Sequence, residues 1–355
     1  MEVLKIGSPF PASLCAQDSS EEDLYEEYGD VDFAILAMMQ DRGKIYVEQR
    51  ENVGAAGGVS AEGVGRPNIP DSVTVGFAGG LGNQIFAYGL YRLLQEKLGK
   101  DRAFLRQVGS GYRAPQNQRR FQLEHFNTKL NFSANRKRNA ITLNAPRCCY
   151  EPDDLIEKLF PRSGHYEISN CWWWTNDGIM CLTKIVDALR DEFEPKDPLG
   201  AANDAMLKRI LDADNSVAVH IRRGDFTSID RYKKYVADAE YYVELEKTVA
   251  DRIANPTFFI FSNDMKWARE NIKFKSPCVF VDINGEADGW KDFVLMKNCK
   301  HNVIAQQSSF STFAAILGRN PDKIAFGIDV LRGKYDDIFW KKYVRLNADG
   351  TVASQ

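Results

Sequence analysis

From residue 73 onward this chain of 355 residues alternates short apolar runs with longer helical stretches. That alternation leaves few folds open. Residues 73–77, 103–105, 217–221, 258–262, 279–281 and 302–305 read as strands, and 85–98, 177–193, 237–253, 265–272, 290–298 and 311–317 read as helices. Strand and helix taking turns predicts parallel sheets, because a parallel neighbour needs a crossover that a helix supplies. Residues 194–200 carry two prolines and a glycine, the punctuation expected where the chain crosses from one such unit to another. The length suffices for two α/β domains. The expected partition is an irregular extension over 1–70, a first domain over 71–200 and a second over 201–345.

The run from Ser216 to Asp225 carries the sharpest chemical signal. Val217, Val219 and Ile221 alternate with Ala218, His220 and Arg222, so at the two-residue period of a strand His220 and Arg222 share a face. Arg222 falls where the strand ends, and open parallel sheets bind ligands beyond the carboxyl ends of their strands. An arginine there suits a phosphate, which its planar fork meets with two parallel hydrogen bonds. A surface ion pair between Arg223 and Asp225, or an Arg-Gly-Asp adhesion tripeptide, is the competing reading of the same residues.

Gly79-Gly80-Leu81-Gly82-Asn83-Gln84 stands between the first strand and the helix that follows it. Strand, glycine loop and helix is the order of a nucleotide site, where backbone approaches the ligand and the helix start presents N–H groups and a positive dipole end. The dinucleotide fingerprint fails, because Ile85 stands where its third glycine belongs; a P-loop fails because no Gly-Lys-Ser/Thr follows. A tight turn without a ligand remains the alternative.

Together these two motifs resemble the α-1,2-fucosyltransferases of glycosyltransferase family 11, in which Gly-Gly-Leu-Gly-Asn-Gln opens the first domain and His-x-Arg-Arg-x-Asp the second. The resemblance runs from about residue 73 to 330. Arg120 through Asn127 is similar to the family's basic strand-and-turn segment, and Ala188 through Phe193 with Pro195, Pro198 and Leu199 to its helix end before the crossing. Phe258 through Asp264, followed by Trp267, resembles a strand ending in Phe-Ser-Asp-Asp. Asp292 through Cys299-Lys300-His301 to Ser308-Ser309-Phe310-Ser311 resembles its helix, strand and serine-rich turn. The chain departs from the family at Trp172 to Gly178 and at Ser311-Thr312-Phe313-Ala314, so the donor side matches better than the acceptor side.

The resemblance implies a GT-B fold, two Rossmann-like domains facing across a cleft, with GDP-fucose on the second. It implies inverting transfer of fucose to a glycan hydroxyl, O2 of a terminal galactose in this family. Charge then develops on the departing diphosphate. Arg222 is the expected stabiliser, Asp225 holds Arg222 or Arg223 in place, and His220 orients or acts as base. Donor-binding roles fall to Gly80, Gly82, Asn83, Gln84, Arg223, Ser262, Asn263, Asp264, Ser308, Ser309 and Ser311. Two Asp-x-Asp triplets, Asp30-Val31-Asp32 and Asp212-Ala213-Asp214, follow no strand, so neither a metal nor any other cofactor is expected. A nucleotide-sugar binder without turnover and a dinucleotide oxidoreductase stay open as alternatives.

Composition narrows the setting. A net charge of −3 with dispersed Lys and Arg argues against a nucleic-acid or anionic-membrane face. Seven cysteines without a Cys-x-x-Cys pair argue against zinc and a disulfide framework. Residues 17–32 are acidic and 54–65 rich in glycine and small residues, and the longest apolar run of the extension, 33–39, is too short to span a bilayer. A soluble, cytoplasmic enzyme without a membrane anchor is therefore expected.

Overall fold

The computed structural model describes residues 69–107, 120–133, 139–144, 156, 159–160, 162–169, 182–328 and 339–353. Expectations for residues 1–68 of the extension and for 172–178 lie outside the described residues. The first lobe begins with β1 (Ser72–Phe77), α1 (Leu81–Leu98) and β2 (Ala103–Gln107), and continues with β3 (Ile141–Asn144), β4 (His165–Ser169) and α2 (Val186–Glu192). Its four strands lie in the order β2-β1-β4-β3, and every pairing is parallel.

The second lobe opens with α3 (Ala201–Asp212), β5 (Asn215–Ile221), α4 (Gly224–Ser228), α5 (Asp230–Lys233) and α6 (Ala239–Ala250). It continues with β6 (Pro256–Ser262), α7 (Met265–Asn271), β7 (Cys278–Phe280), α8 (Gly289–Asn298), β8 (His301–Ile304), α9 (Ser309–Ile316), β9 (Ile324–Gly327) and β10 (Lys342–Arg345). The six strands are again all parallel, in the order β10-β9-β8-β5-β6-β7. From β5 the chain steps outward through β6 to β7, then returns to the other side of β5 and steps outward through β8 to β10. The strand order therefore reverses between β5 and β8, the place where doubly wound sheets open a crevice for ligand.

The residues explain the elements. Ser216 to Ile221 of β5 are all buried, as a central parallel strand covered on both faces requires. Helix α1 is buried around most of its circumference from Leu81 to Leu94, because it lies between its own sheet and α9 of the second lobe. Phe86 meets Phe313 there with ring centroids 5.6 Å apart. Phe126, Phe193, Trp290 and Phe293 join edge to face across the same region, so one apolar core runs through both lobes.

Several sequence expectations shift. Residues 120–127 form a one-turn 3₁₀ helix at Leu123–His125 instead of a strand and turn. The Gln122 N–H is taken by the Gln84 side chain, and Phe126 makes only an isolated bridge to Pro195. The helix expected at 177–193 is described from Leu182, as a 3₁₀ turn followed by α2. Both glycine-loop and serine-turn helices start earlier than their apolar periodicity suggests, α1 directly after Gly80 and α9 directly after Ser308. Strands β3, β4, β9 and β10 fall outside the apolar runs that read as strands. Among the described residues no helix is long and apolar enough to cross a membrane.

Candidate functional site

The site is built at the reversal of strand order. Strand β5 ends at Ile221 and delivers Arg222, Arg223 and Gly224; β8 ends at Ile304 and delivers Ser308, which caps α9. Arg222 donates from Nη2 to Asp225 at 2.7 Å, and its guanidinium lies 5.2 Å from the centre of the Phe226 ring. Of the two arginines that Asp225 could hold, it is Arg222 that it pairs with. Arg223 is placed differently: its backbone N–H donates to Asn263 Oδ1 at 2.9 Å, Nη1 donates to the Ala237 carbonyl, and the guanidinium carbon lies over the Trp267 ring, 3.8 Å from its centre.

The end of β6 supports this turn. Ser262 Oγ donates to the Ile221 carbonyl at 3.0 Å and accepts from the Asp264 N–H. Asp264 caps α7 by accepting from the Trp267 N–H at 3.1 Å, and its other oxygen faces Arg223 Nε at 3.7 Å. Ser262, Asn263 and Asp264 therefore hold the Arg222–Gly224 turn, so the polar atoms expected to meet the donor are engaged with backbone and Arg223. Gly224 has φ +28° and a Cβ there would collide with the Asn263 amide, which is why glycine stands after the two arginines.

His220 is fully buried on β5, with Nδ1 3.2 Å from Ser308 Oγ and its ring 5.7 Å from that of Phe310. Burial, aided by the charge of Arg222, pushes its pKa down to about 3. The neutral imidazole is therefore the favoured form, and the ring nitrogen that faces Ser308 gives His220 an orienting contact.

The three serines separate. Ser308 accepts from the Ser311 N–H at 3.4 Å while it faces His220. Ser311 is 1% exposed, and its hydroxyl sits between the Ala305 N–H and the Ser308 carbonyl, so it closes the turn and does not reach the crevice. Ser309 turns to the other lobe and donates to Asn83 Oδ1 at 3.0 Å.

That contact brings the glycine loop to the site. Gly79 has φ +81°, Gly80 is the N-cap of α1, and a Cβ on Gly82 would lie 2.5 Å from the Phe310 nitrogen and the Ser309 carbonyl carbon. Gly82 is glycine because the start of α9 occupies the space of its side chain. Gln84 is placed otherwise than expected. It is 2% exposed, and its Nε2 donates to the Gly79 and Arg120 carbonyls while Oε1 accepts from the Gln122 N–H. Its amide is thus engaged by backbone groups of the glycine loop and of residues 120–122.

Phe226, Trp267, Phe310 and Gln122 were not singled out as site residues. A signal existed for Phe226, four residues after Arg222 in a segment able to turn helically. Phe310 and Gln122 act through contacts that join distant parts of the chain, which no local spacing displays. Among the described residues, no three or more His, Cys, Asp or Glu side chains gather in a group able to hold a metal ion.

The sequence profile described as Glycosyl transferase family 11 matches residues 175–343. The O-antigen biosynthesis glycosyltransferase WbnK of Escherichia coli is 31% identical over 279 residues, 70% of this chain and 90% of that protein. The galactoside alpha-(1,2)-fucosyltransferase 1 of Saimiri boliviensis boliviensis is 33% identical over 140 residues, which is 37% of this chain and 38% of that protein. The chain thus spans about two fifths of the primate relative's length. Among solved structures, NodZ alpha-1,6-fucosyltransferase co-crystallised with GDP superposes with a TM-score of 0.46 at 12% identity, over 80% of this chain and 97% of that one.

Proposed function

This chain belongs to glycosyltransferase family 11, and from that premise we propose that it transfers fucose from GDP-fucose to a hydroxyl of a glycan, O2 of a terminal β-galactoside being the preferred acceptor. The observation that carries the donor half is the strand reversal between β5 and β8, flanked by Arg222 on one strand and by the capped start of α9 on the other. Helix starts and arginines both favour a diphosphate. The acceptor half is supported by the name of the primate relative, which shares 33% of 140 aligned residues.

In the proposed reaction the acceptor oxygen attacks C1 of fucose while the bond from C1 to the diphosphate oxygen breaks. The electron pair leaves with GDP, and the acceptor proton passes to water or to a base. Arg222, aimed by Asp225, meets the charge that grows on the diphosphate. Neutral His220 faces Ser308 through Nδ1 and carries a single ring proton, so it serves here to orient the turn at the start of α9. Backbone at Gly80 and Gly82 and the Asn83 amide form the wall contributed by the first lobe. The donor charge is met by arginine and helix start, so the reaction is proposed to need no metal.

A glycan-array transfer assay with GDP-fucose tests this reading. The expected product is an α-fucoside on terminal galactose, identified by NMR of the anomeric proton. A β-fucoside would exclude single displacement, and transfer confined to sugars other than galactose would remove the acceptor assignment.

A further inference from the structure

Gln84 commits both amide donors and its carbonyl oxygen to three backbone groups from two separate segments. Nε2 donates to Gly79 at 2.9 Å and to Arg120 at 2.8 Å, and Oε1 accepts from Gln122 at 2.9 Å. A primary amide is the side chain that offers two donors and an acceptor on one short planar group. Because helical side chains lean toward the helix start, Gln84 on the first turn of α1 reaches back over the glycine loop that precedes it. Gln122 then extends the connection, since its Nε2 donates to the Ala287 carbonyl of the second lobe at 3.2 Å.

The loop held in this way is the one that meets the donor-side helix. Gly82 packs on the backbone of Ser309 and Phe310, and Asn83 accepts from Ser309. We propose that Gln84 is a positioning residue for transfer: it fixes the glycine loop against the 120–122 segment, and so sets how Asn83 and Gly82 are presented to the start of α9, without touching either substrate. This inference rests on the functional reading above, and it assigns to Gln84 a role through the loop instead of contact with the nucleotide.

The experiment compares Gln84→Met, Gln84→Glu and Gln122→Met in the full chain. Gln84→Met keeps the volume and removes all three bonds. Gln84→Glu sets a carboxylate against two carbonyl oxygens, a repulsion that protonation relieves, and burial raises the pH at which that happens. Gln122→Met removes only the link to Ala287. The expected result for Gln84→Met is a fall in kcat of about tenfold or more, the size of one lost buried hydrogen bond, with the Kd for GDP changed by less than about threefold. Gln84→Glu should recover activity relative to the parent as pH is lowered from about 8 to about 6. Hydrogen exchange should quicken at 79–84 and 120–123 in both Gln84 variants, and at 120–123 alone in Gln122→Met.

Parallel pH profiles for Gln84→Glu and the parent would overturn the proposal, and so would unchanged exchange at 120–123 in the Gln84 variants. A loss of GDP affinity as large as the loss of kcat would assign Gln84 to the donor itself. If the parent protein transfers no fucose, the functional reading fails, while the exchange measurements still decide whether Gln84 fixes the loop.

Discussion

Glu192 and Glu194 stand two residues apart where the chain crosses between lobes, and they are held from opposite sides. Glu192 accepts from Tyr88 at 2.5 Å and from both Nε and Nη2 of Arg92, all on α1, and Lys129 adds its ammonium at 3.1 Å. Glu194 accepts from Lys297 of α8 at 2.9 Å, and Arg319 approaches it from the second lobe as well. Arg319 also pairs with Asp191. The crossing segment is thus anchored to each lobe by its own carboxylate, with the Phe193 ring between them in the shared core.

The two anchors should differ in strength. Burial alone would raise the pKa of Glu192, but Arg92, Tyr88 and Lys129 outweigh it and hold the carboxyl below its ordinary range. Removing one member of a buried pair leaves the other charge uncompensated, so Glu192→Ala should cost about 3–5 kcal/mol. Glu194 is half-exposed but its partner Lys297 is buried and keeps only the Phe193 carbonyl without it, so Glu194→Ala should cost less than Glu192→Ala, about 1–3 kcal/mol. Urea denaturation of the two variants checks this; equal midpoints would show that Glu192 does not anchor the first lobe. Because its folded pKa is depressed, the Glu192 contribution is present above the unfolded value and is lost as pH falls below it.

Gly82→Ala tests the contact between the lobes at the site. The added methyl has backbone of Ser309 and Phe310 in its place, and backbone does not rotate away as a side chain would. Overpacking of this kind costs about 1–3 kcal/mol, and here it also displaces the start of α9. Activity should fall more than stability does, measured as kcat beside the thermal midpoint. A fully active Gly82→Ala would mean that the close approach has no part in transfer.

The α/β class, the parallel central strands and the strand end at Arg222 were legible because each rests on local chemistry. Buried β-branched runs mark central strands, and a glycine cluster or an arginine at a strand end marks a special backbone or an anion. The unread strands lack that signature: β4 reads His-Tyr-Glu-Ile-Ser and β10 Lys-Tyr-Val-Arg, each with two apolar residues. What the sequence could not display was how polar groups share partners. Gln84, Ser262, Asn263 and Ser311 have the residue types of a nucleotide site, yet their hydrogen bonds go to backbone. Asn83 and Ser309 meet across 226 positions, a distance that only the fold closes.

Two buried groups give the stability opposite slopes with pH. His220, lowered to about 3 by burial and Arg222, stays neutral in the fold while the unfolded imidazole binds a proton; its contribution is present above about pH 6.5 and is lost as pH falls toward 3. Asp292 is raised to about 7, first by burial and then by Asp288 and Asp282, against the bond that Asn284 donates to it at 2.7 Å. Its protonated form is favoured in the fold, so this contribution is full below about pH 4 and is lost as pH rises through 7. Asp292→Asn keeps an acceptor for Asn284 and should raise stability above pH 7 relative to the parent, by roughly 1–3 kcal/mol. Chemical denaturation at about pH 5 and about pH 8 reads the sign; an equal gain at both pH values would show that Asp292 is ionised throughout.

Metal use separates two ways of meeting the donor charge. With arginine and a helix start at the diphosphate, transfer should persist in excess EDTA, whereas a carboxylate-held cation would be stripped. Activity lost on chelation and restored by manganese or magnesium would show that a metal takes part.

Arg222 is the residue on which the donor reading turns. It leaves β5 at the strand reversal, carries a charge that helps to keep His220 neutral, and is aimed by Asp225 at 2.7 Å. Losing a group that stabilises charge only as it develops costs on the order of 10²–10³ in rate, so Arg222→Ala should nearly abolish kcat with cooperative unfolding intact. Arg222→Lys keeps the charge and loses the planar fork, and it should restore little of the rate. Asp225→Asn keeps a hydrogen bond to the guanidinium but weakens its aim, which places it between the parent and Arg222→Ala. Calorimetric titration with GDP completes the test, since stabilisation of the departing diphosphate predicts a larger loss in kcat than in GDP affinity. Near-normal turnover by Arg222→Ala would remove Arg222 from the mechanism and transfer the role to Arg223, whose guanidinium is held on Trp267.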